Sequence, residues 1–229
     1  MKRNSVPFIL AENGECRSAA LAQVLNYFGD PSSSKDISNY CTKSTKFRDW
    51  DYLLGLYAIS RGFNATIHTR SISIFDPTWF KICRSDLLVK LSKKVENLSD
   101  LSARAEGFKK FELEAKRVIE FLNAGGDLNF SPFSINCMNS YLDKKIPIIT
   151  TFTGPLLYGL PKETFGQADD IGGDPWKHSL VISSYSKENF RVVDPSKIKG
   201  RRYDVKADSL LDSMIRYDSN FLAVFPRKK

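Results

Sequence analysis

The run Ile146-Pro-Ile-Ile-Thr-Thr-Phe152 constrains this chain more than any other segment. It carries no charge, is rich in β-branched residues, and lies between Asp143-Lys144-Lys145 and Gly154-Pro155. Such a stretch reads as a strand buried on both faces, which needs paired neighbours along its edges and cover above and below. The neighbours come late in the chain: strands are predicted over Ser179 to Ser183 and Phe190 to Val193, near Tyr203, and over Phe221 to Phe225. Most of the helices come first. Apolar residues at 3.6-residue spacing predict helices over 16–28, from Ser34 to about Cys41, from near Asp49 to Arg61, over 87–98, 108–122 and 134–142, and later over 207–216. Alternation at Ala65, Ile67, Ile72 and Ile74 predicts strand structure around 64–75. Helices early and strands late are the pattern of an α+β fold with an antiparallel sheet.

The chain has 229 residues, enough for one large domain, and its 42% hydrophobic and 26% charged residues exclude a disordered or fibrous chain. The formal charge of +8 bears on partners and solubility, and says nothing about fold. Two histidines, His68 and His178, are too few for a multi-histidine metal centre. Four cysteines without a Cys-x-x-Cys pair suggest neither a zinc site nor a disulfide framework; Cys41, Cys83 and Cys137 are read as buried thiols. Val6 to Leu10 is too short for a signal sequence, and no apolar run approaches the ~20 residues of a bilayer span. The expected location is cytoplasmic.

Cys16 opens the first helix, where backbone N–H groups and the macrodipole favour a thiolate. The segment 178–194 reads as a hairpin. If its turn centres on Ser186, His178 and Asp194 face each other across the strands, and a carboxylate beside an imidazole fixes its tautomer and stabilises the imidazolium. A one-residue slip would send them to opposite faces.

Glu15-Cys16-Arg-Ser-Ala-Ala-Leu-Ala-Gln-Val-Leu-Asn-Tyr-Phe-Gly29 resembles the cysteine box of papain-like peptidases related to the bacteriocin-processing, double-glycine family. Trp176-Lys-His178-Ser-Leu-Val-Ile and Val-Val-Asp194-Pro195 resemble its histidine and aspartate boxes. Ile74 to Phe80, Pro147 to Tyr158 and Asp169 to Pro175 are similar to a bacterial and archaeal branch of the same group. The resemblance implies a papain-like fold, a single domain over 1–229 with a helical insertion at about 80–145, and no metal or organic cofactor. It also implies roles: Cys16 as nucleophile, His178 as general base and then acid, Asp194 as orienting carboxylate, acting on a peptide or amide bond.

Two positions depart from the family pattern. Leu10 stands where an oxyanion-hole Gln is usual, and Arg17 replaces the Gly that commonly follows the cysteine. Asn13, the Gln23 side chain and the Cys16 backbone N–H are the candidate substitutes, and hydrolase, acyltransferase and inactive homologue all stay open. A competing reading is a binding protein using its basic surface, Lys197, Lys199, Arg201, Arg202 and Arg227 to Lys229. Without a recognition helix or stacking motif this cluster reads as a solvated face, and nucleic acid is disfavoured. His68 reads as a half-exposed strand histidine. Asp169 and Asp170 read as a loop at the cleft rim, and Asp76-Pro77-Thr78-Trp79 as a rigid turn whose aromatic packs on the core.

Overall fold

The computed structural model describes residues 5–12, 15–42, 50–103, 105–130, 133–196, 201–215 and 220–227. Its centre is the run on which the sequence turns. Strand β3 (Ile148–Thr153) is buried at all six positions. It pairs on one edge with β6 (Lys177–Ser186) and on the other with β9 (Phe221–Pro226). The remaining strands of the sheet are β1 (Phe63–His68), β2 (Asp127–Asn129), β7 (Asn189–Val193) and β8 (Arg202–Lys206). Their order is β2-β1-β9-β3-β6-β7-β8, and every pair except β1–β2 is antiparallel. A separate two-stranded hairpin joins β4 (Glu163–Thr164) to β5 (Gln167–Ala168).

Helices cover both faces. Over one face lie α1 (Cys16–Tyr27), α2 (Ser34–Thr42), α3 (Trp50–Ser60), α4 (Arg84–Ser102) and α5 (Lys109–Asn123), enclosing a core that includes Leu21, Leu25, Leu53, Phe121, Ile149 and Val181. Over the other lie α6 (Ile135–Leu142), α7 (Gly154–Tyr158) and α8 (Ala207–Ile215), around Met138, Ile148, Phe152, Leu180, Ile182 and Phe221. The fold is therefore α+β, with a cysteine-bearing N-terminal helix packed on a mostly antiparallel sheet, as the papain-like resemblance implies. Among the described residues no helix is long and apolar enough to cross a membrane.

Helix α1 is buried continuously from Ser18 to Leu25. Three alanines among those eight residues favour the helix and let it lie close to the sheet. Full burial of Leu21, Val24 and Leu25 contributes about 1.5–3 kcal/mol each. The helix stops at Gly29, whose φ of +95° is the left-handed conformation that ends helices, while Asp30 N–H returns to the Leu25 carbonyl. A helix locked in this way leaves only its first turn, with Cys16, able to face a cleft.

Two expectations need correction. The strand forecast over 64–75 ends at His68; residues 72–74 form a turn, and Ile72 is exposed because the alternation that suggested a strand has no partner to pair with. Of the three cysteines read as buried, Cys41 is buried and Cys137 half-buried, but Cys83 is exposed at the N-cap of α4, beside the Ser85 hydroxyl. The turn at Asp76 is as expected: its carboxylate caps a 3₁₀ helix (Pro77–Lys81) by accepting from Thr78 N–H, and Trp79 packs against the larger core.

Candidate active site

The hairpin that carries His178 turns at Lys187-Glu188, with Lys187 at φ 51°. Ser186 pairs with Asn189, Tyr185 with Phe190 and Ser184 with Arg191. This corrects the register expected from a turn at Ser186. Extended unbroken, the observed pairing would place His178 and Asp194 on opposite faces. It does not extend unbroken. Ser183 is an extra residue in β6, a bulge, after which Ile182 pairs with Val192 and Val181 with Val193. The bulge changes the parity of the ladder, so His178 lies two residues from direct opposition to Asp194 and on the same face. The Ser183 hydroxyl donates to the Arg191 carbonyl at 3.0 Å, fixing the irregularity in place.

With that register, His178 Nε2 meets Asp194 Oδ1 at 2.8 Å. Asp194, just past the end of β7, is fully buried. Its carboxylate also accepts from Ser196 N–H at 2.8 Å, from the Tyr203 hydroxyl at 2.8 Å and from the Tyr158 hydroxyl. Burial alone would raise its pKa, but His178, Tyr158 and Ser196 N–H hold it well below the usual carboxylate range. Tyr158 and Tyr203 are raised far above the ordinary phenol value, first by burial and then by the Asp194 charge, so both stay protonated as donors. Sequence reasoning missed these two tyrosines: they lie 36 and 9 residues from Asp194, and only the fold brings them together.

Phe152, paired with His178 across β3, sets its ring at 87° to the imidazole, with centroids 5.6 Å apart. Since Nε2 is held by Asp194, Nδ1 is the ring nitrogen left for Cys16, with which His178 shares a side-chain hydrogen bond. Burial opposes ionisation of the Cys16 thiol. The hydrogen bond and charge of His178, the charge of Arg17 and the N–H of Ser179 outweigh it, and the thiol pKa is lowered. For His178, burial disfavours the cation, yet hydrogen bonds to Asp194 and Cys16 and their charges raise its pKa to about 9. Both directions favour a thiolate–imidazolium pair near neutral pH. Cys16 opens into a cavity of about 360 Å³, also lined by Glu15, Arg17, Ser18, Trp50 and Lys177.

The other forecast residues are placed elsewhere. Gln23 lies about 10 Å down α1 from Cys16 at 1.5 Å per residue, buried, with its Nε2 donating to the Ile9 carbonyl at 3.0 Å. It is therefore committed to the N-terminal segment and is no oxyanion donor. Asn13 lies outside the described residues. The Cys16 backbone N–H stands in the first turn of α1, where no intrahelical acceptor exists. Asp169 closes its own loop, accepting from Gly172 N–H, Ile171 N–H and the Thr164 hydroxyl, while Asp170 is exposed. Lys197, Lys199, Lys228 and Lys229 lie outside the described residues. The solvated-face reading of the basic cluster is incomplete, because Arg202 donates to the Val6 carbonyl at 2.6 Å and Arg201 lies over the Phe8 ring.

His68 is buried, not half-exposed: its ring stacks on Phe221 with centroids 4.1 Å apart, and Nε2 meets the Tyr141 hydroxyl at 2.8 Å. Desolvation lowers its pKa from 6.5 to about 4. Between those values the unfolded chain binds a proton that the folded chain does not, so folded stability falls as pH drops through this window, by about 3 kcal/mol at most. Urea unfolding should show a gap between wild type and His68→Gln that narrows from pH 7 to pH 4.5; a gap independent of pH would contradict the burial of a neutral ring.

No family model matches the chain, and no curated protein matches it. Among solved structures, one from Bacillus anthracis assigned as a C39-like peptidase aligns over 98% of this chain and 96% of its own, at 13% identity and a TM-score of 0.46. The peptidase domain of Streptococcus ComA, a bi-functional ABC transporter involved in a quorum sensing pathway, aligns over 96% and 97%, at 12% identity and a TM-score of 0.43.

Proposed function

We propose that this chain is a thiol-dependent hydrolase or acyltransferase of peptide or amide bonds, a cysteine peptidase in reaction class. The observation that carries this reading is the unbroken hydrogen-bonded line Cys16–His178–Asp194, with the thiol drawn toward its charged form and the imidazole toward its own. In the proposed reaction the Cys16 thiolate attacks the carbonyl carbon, and the developing oxyanion is met by the Cys16 backbone N–H at the start of α1. His178 then passes its Nδ1 proton to the leaving amine as the C–N bond breaks. Water or a second amine, deprotonated by His178, releases the acyl group and restores the thiol. Asp194 keeps the imidazole oriented and its cation stable throughout.

The test uses the lowered pKa of Cys16. At pH 6 limiting iodoacetamide should modify Cys16 in a fast phase, ahead of the exposed Cys83, as mapped by peptide mass spectrometry. Cys16→Ala should remove that fast phase. Equal rates at Cys16 and Cys83 would overturn the reading. Turnover of a peptide substrate should rise as the Cys16 proton is lost, then fall through about pH 9 as the His178 cation that protonates the leaving group disappears.

A further inference from the structure

The cavity beside the thiol carries chemistry that the three residues above do not use. Arg17 and Lys177 both line it, and Glu15 is the one acid in its lining among the described residues. The Glu15 carboxylate is engaged, accepting from the Ser38 hydroxyl at 2.6 Å. The Arg17 guanidinium lies 5.9 Å from the centre of the Trp50 ring, which holds a planar, permanently charged donor group against one wall. Ser18, also in the lining, is fully buried and closes the floor of the cavity. The first-turn N–H groups of α1 add positive potential at the same place.

Two cations against one carboxylate in the lining, together with the helix terminus, favour an anion, and the aromatic wall suits the methylenes that carry one. We propose that this cavity is a specificity pocket for a carboxylate-bearing side chain, aspartate or glutamate, on a substrate residue flanking the scissile bond. The proposal rests on the reading of Cys16 as nucleophile. Arg17 supplies paired donors to the carboxylate, and Lys177 reinforces the field.

Iodoacetate and iodoacetamide share a leaving group and nearly a shape, and differ by one negative charge. The His178 cation attracts iodoacetate in every variant, and any effect of Arg17 on the thiol pKa acts on both reagents. The informative quantity is therefore the ratio of their Cys16 alkylation rates at pH 6. That ratio should fall about tenfold in Arg17→Gln and about threefold in Lys177→Gln, losses in the range of a charge-assisted hydrogen bond and a more distant charge. An unchanged ratio in both variants would overturn the pocket while leaving the nucleophile in place. If Cys16 of the wild type is not alkylated, the nucleophile reading fails, and the pocket is then read by titrating Cys16→Ala with N-acetylglutamate amide and N-acetylglutamine amide. Preference for the charged compound that disappears with Arg17→Gln supports it; equal binding of the two overturns it.

Discussion

Replacing His178 with alanine is expected to slow alkylation of Cys16 at pH 6 by about 10²-fold. Without the imidazole, burial acts on the thiol with little opposition and its pKa returns to or above the ordinary value. The thiolate fraction at pH 6 then drops, and the greater nucleophilicity of a more basic thiolate recovers part of that loss. As pH rises both proteins gain thiolate, so the gap between the two rates should narrow. This dependence on pH separates loss of the ion pair from simple damage to the cleft, which would slow the reaction equally at every pH. Under the proposed reaction, turnover of a peptide substrate should suffer more, about 10³–10⁴-fold, because the group proposed to protonate the leaving amine is lost as well.

Deleting Ser183 is expected to be far milder than removing His178, although it removes a residue from the strand that carries the imidazole. Ser184 already pairs with Arg191 and Ile182 with Val192, so taking out the extra residue joins the two registers into one regular ladder and leaves His178 on the face of Asp194. Leu180 and Ile182, fully buried on the same face as His178, stay in place with it. The deletion should cost about 1 kcal/mol in urea unfolding, the worth of the lost bond to the Arg191 carbonyl, and keep the fast phase of Cys16 alkylation. Ser183→Ala loses the same bond, and its alkylation rate should also stay close to wild type. Loss of the fast phase in the deletion protein alone would mean that the local twist of the bulge, and not the pairing on either side of it, positions His178.

The elements that sequence reading located well are those whose signal is local. Helix periodicity placed α1, α3, α5 and α6 to within a few residues, and the uncharged run at Ile146 marked β3. What failed depends on partners distant in the chain. β2 has three residues and exists because β1 offers it an edge. His68 read as a half-exposed strand residue, since its cover comes from Tyr141 and Phe221. The hairpin put His178 near Asp194 for a reason only partly right. The forecast turn was misplaced by one and a half residues, and the bulge that compensates leaves no mark in a run of serines. Gly154 is similar: a Cβ there would sit within about 2 Å of the Trp176 ring, a constraint that cannot be read from a Gly-Pro pair in a loop.

The segment ahead of Cys16 and the segment behind Asp194 are fastened to one another. Ala11 N–H donates to the Pro195 carbonyl at 2.8 Å, Arg202 reaches the Val6 carbonyl, Arg201 covers Phe8, and Gln23 holds Ile9 from within α1. The spacing between Cys16 and Asp194 is thus set twice, once through the packed layers and once through a short strap that joins the segments flanking them. A single backbone nick within residues 5–12 would leave most of both cores intact and still release that strap. The backbone of residues 5–12 is thereby coupled to the distance between Cys16 and Asp194.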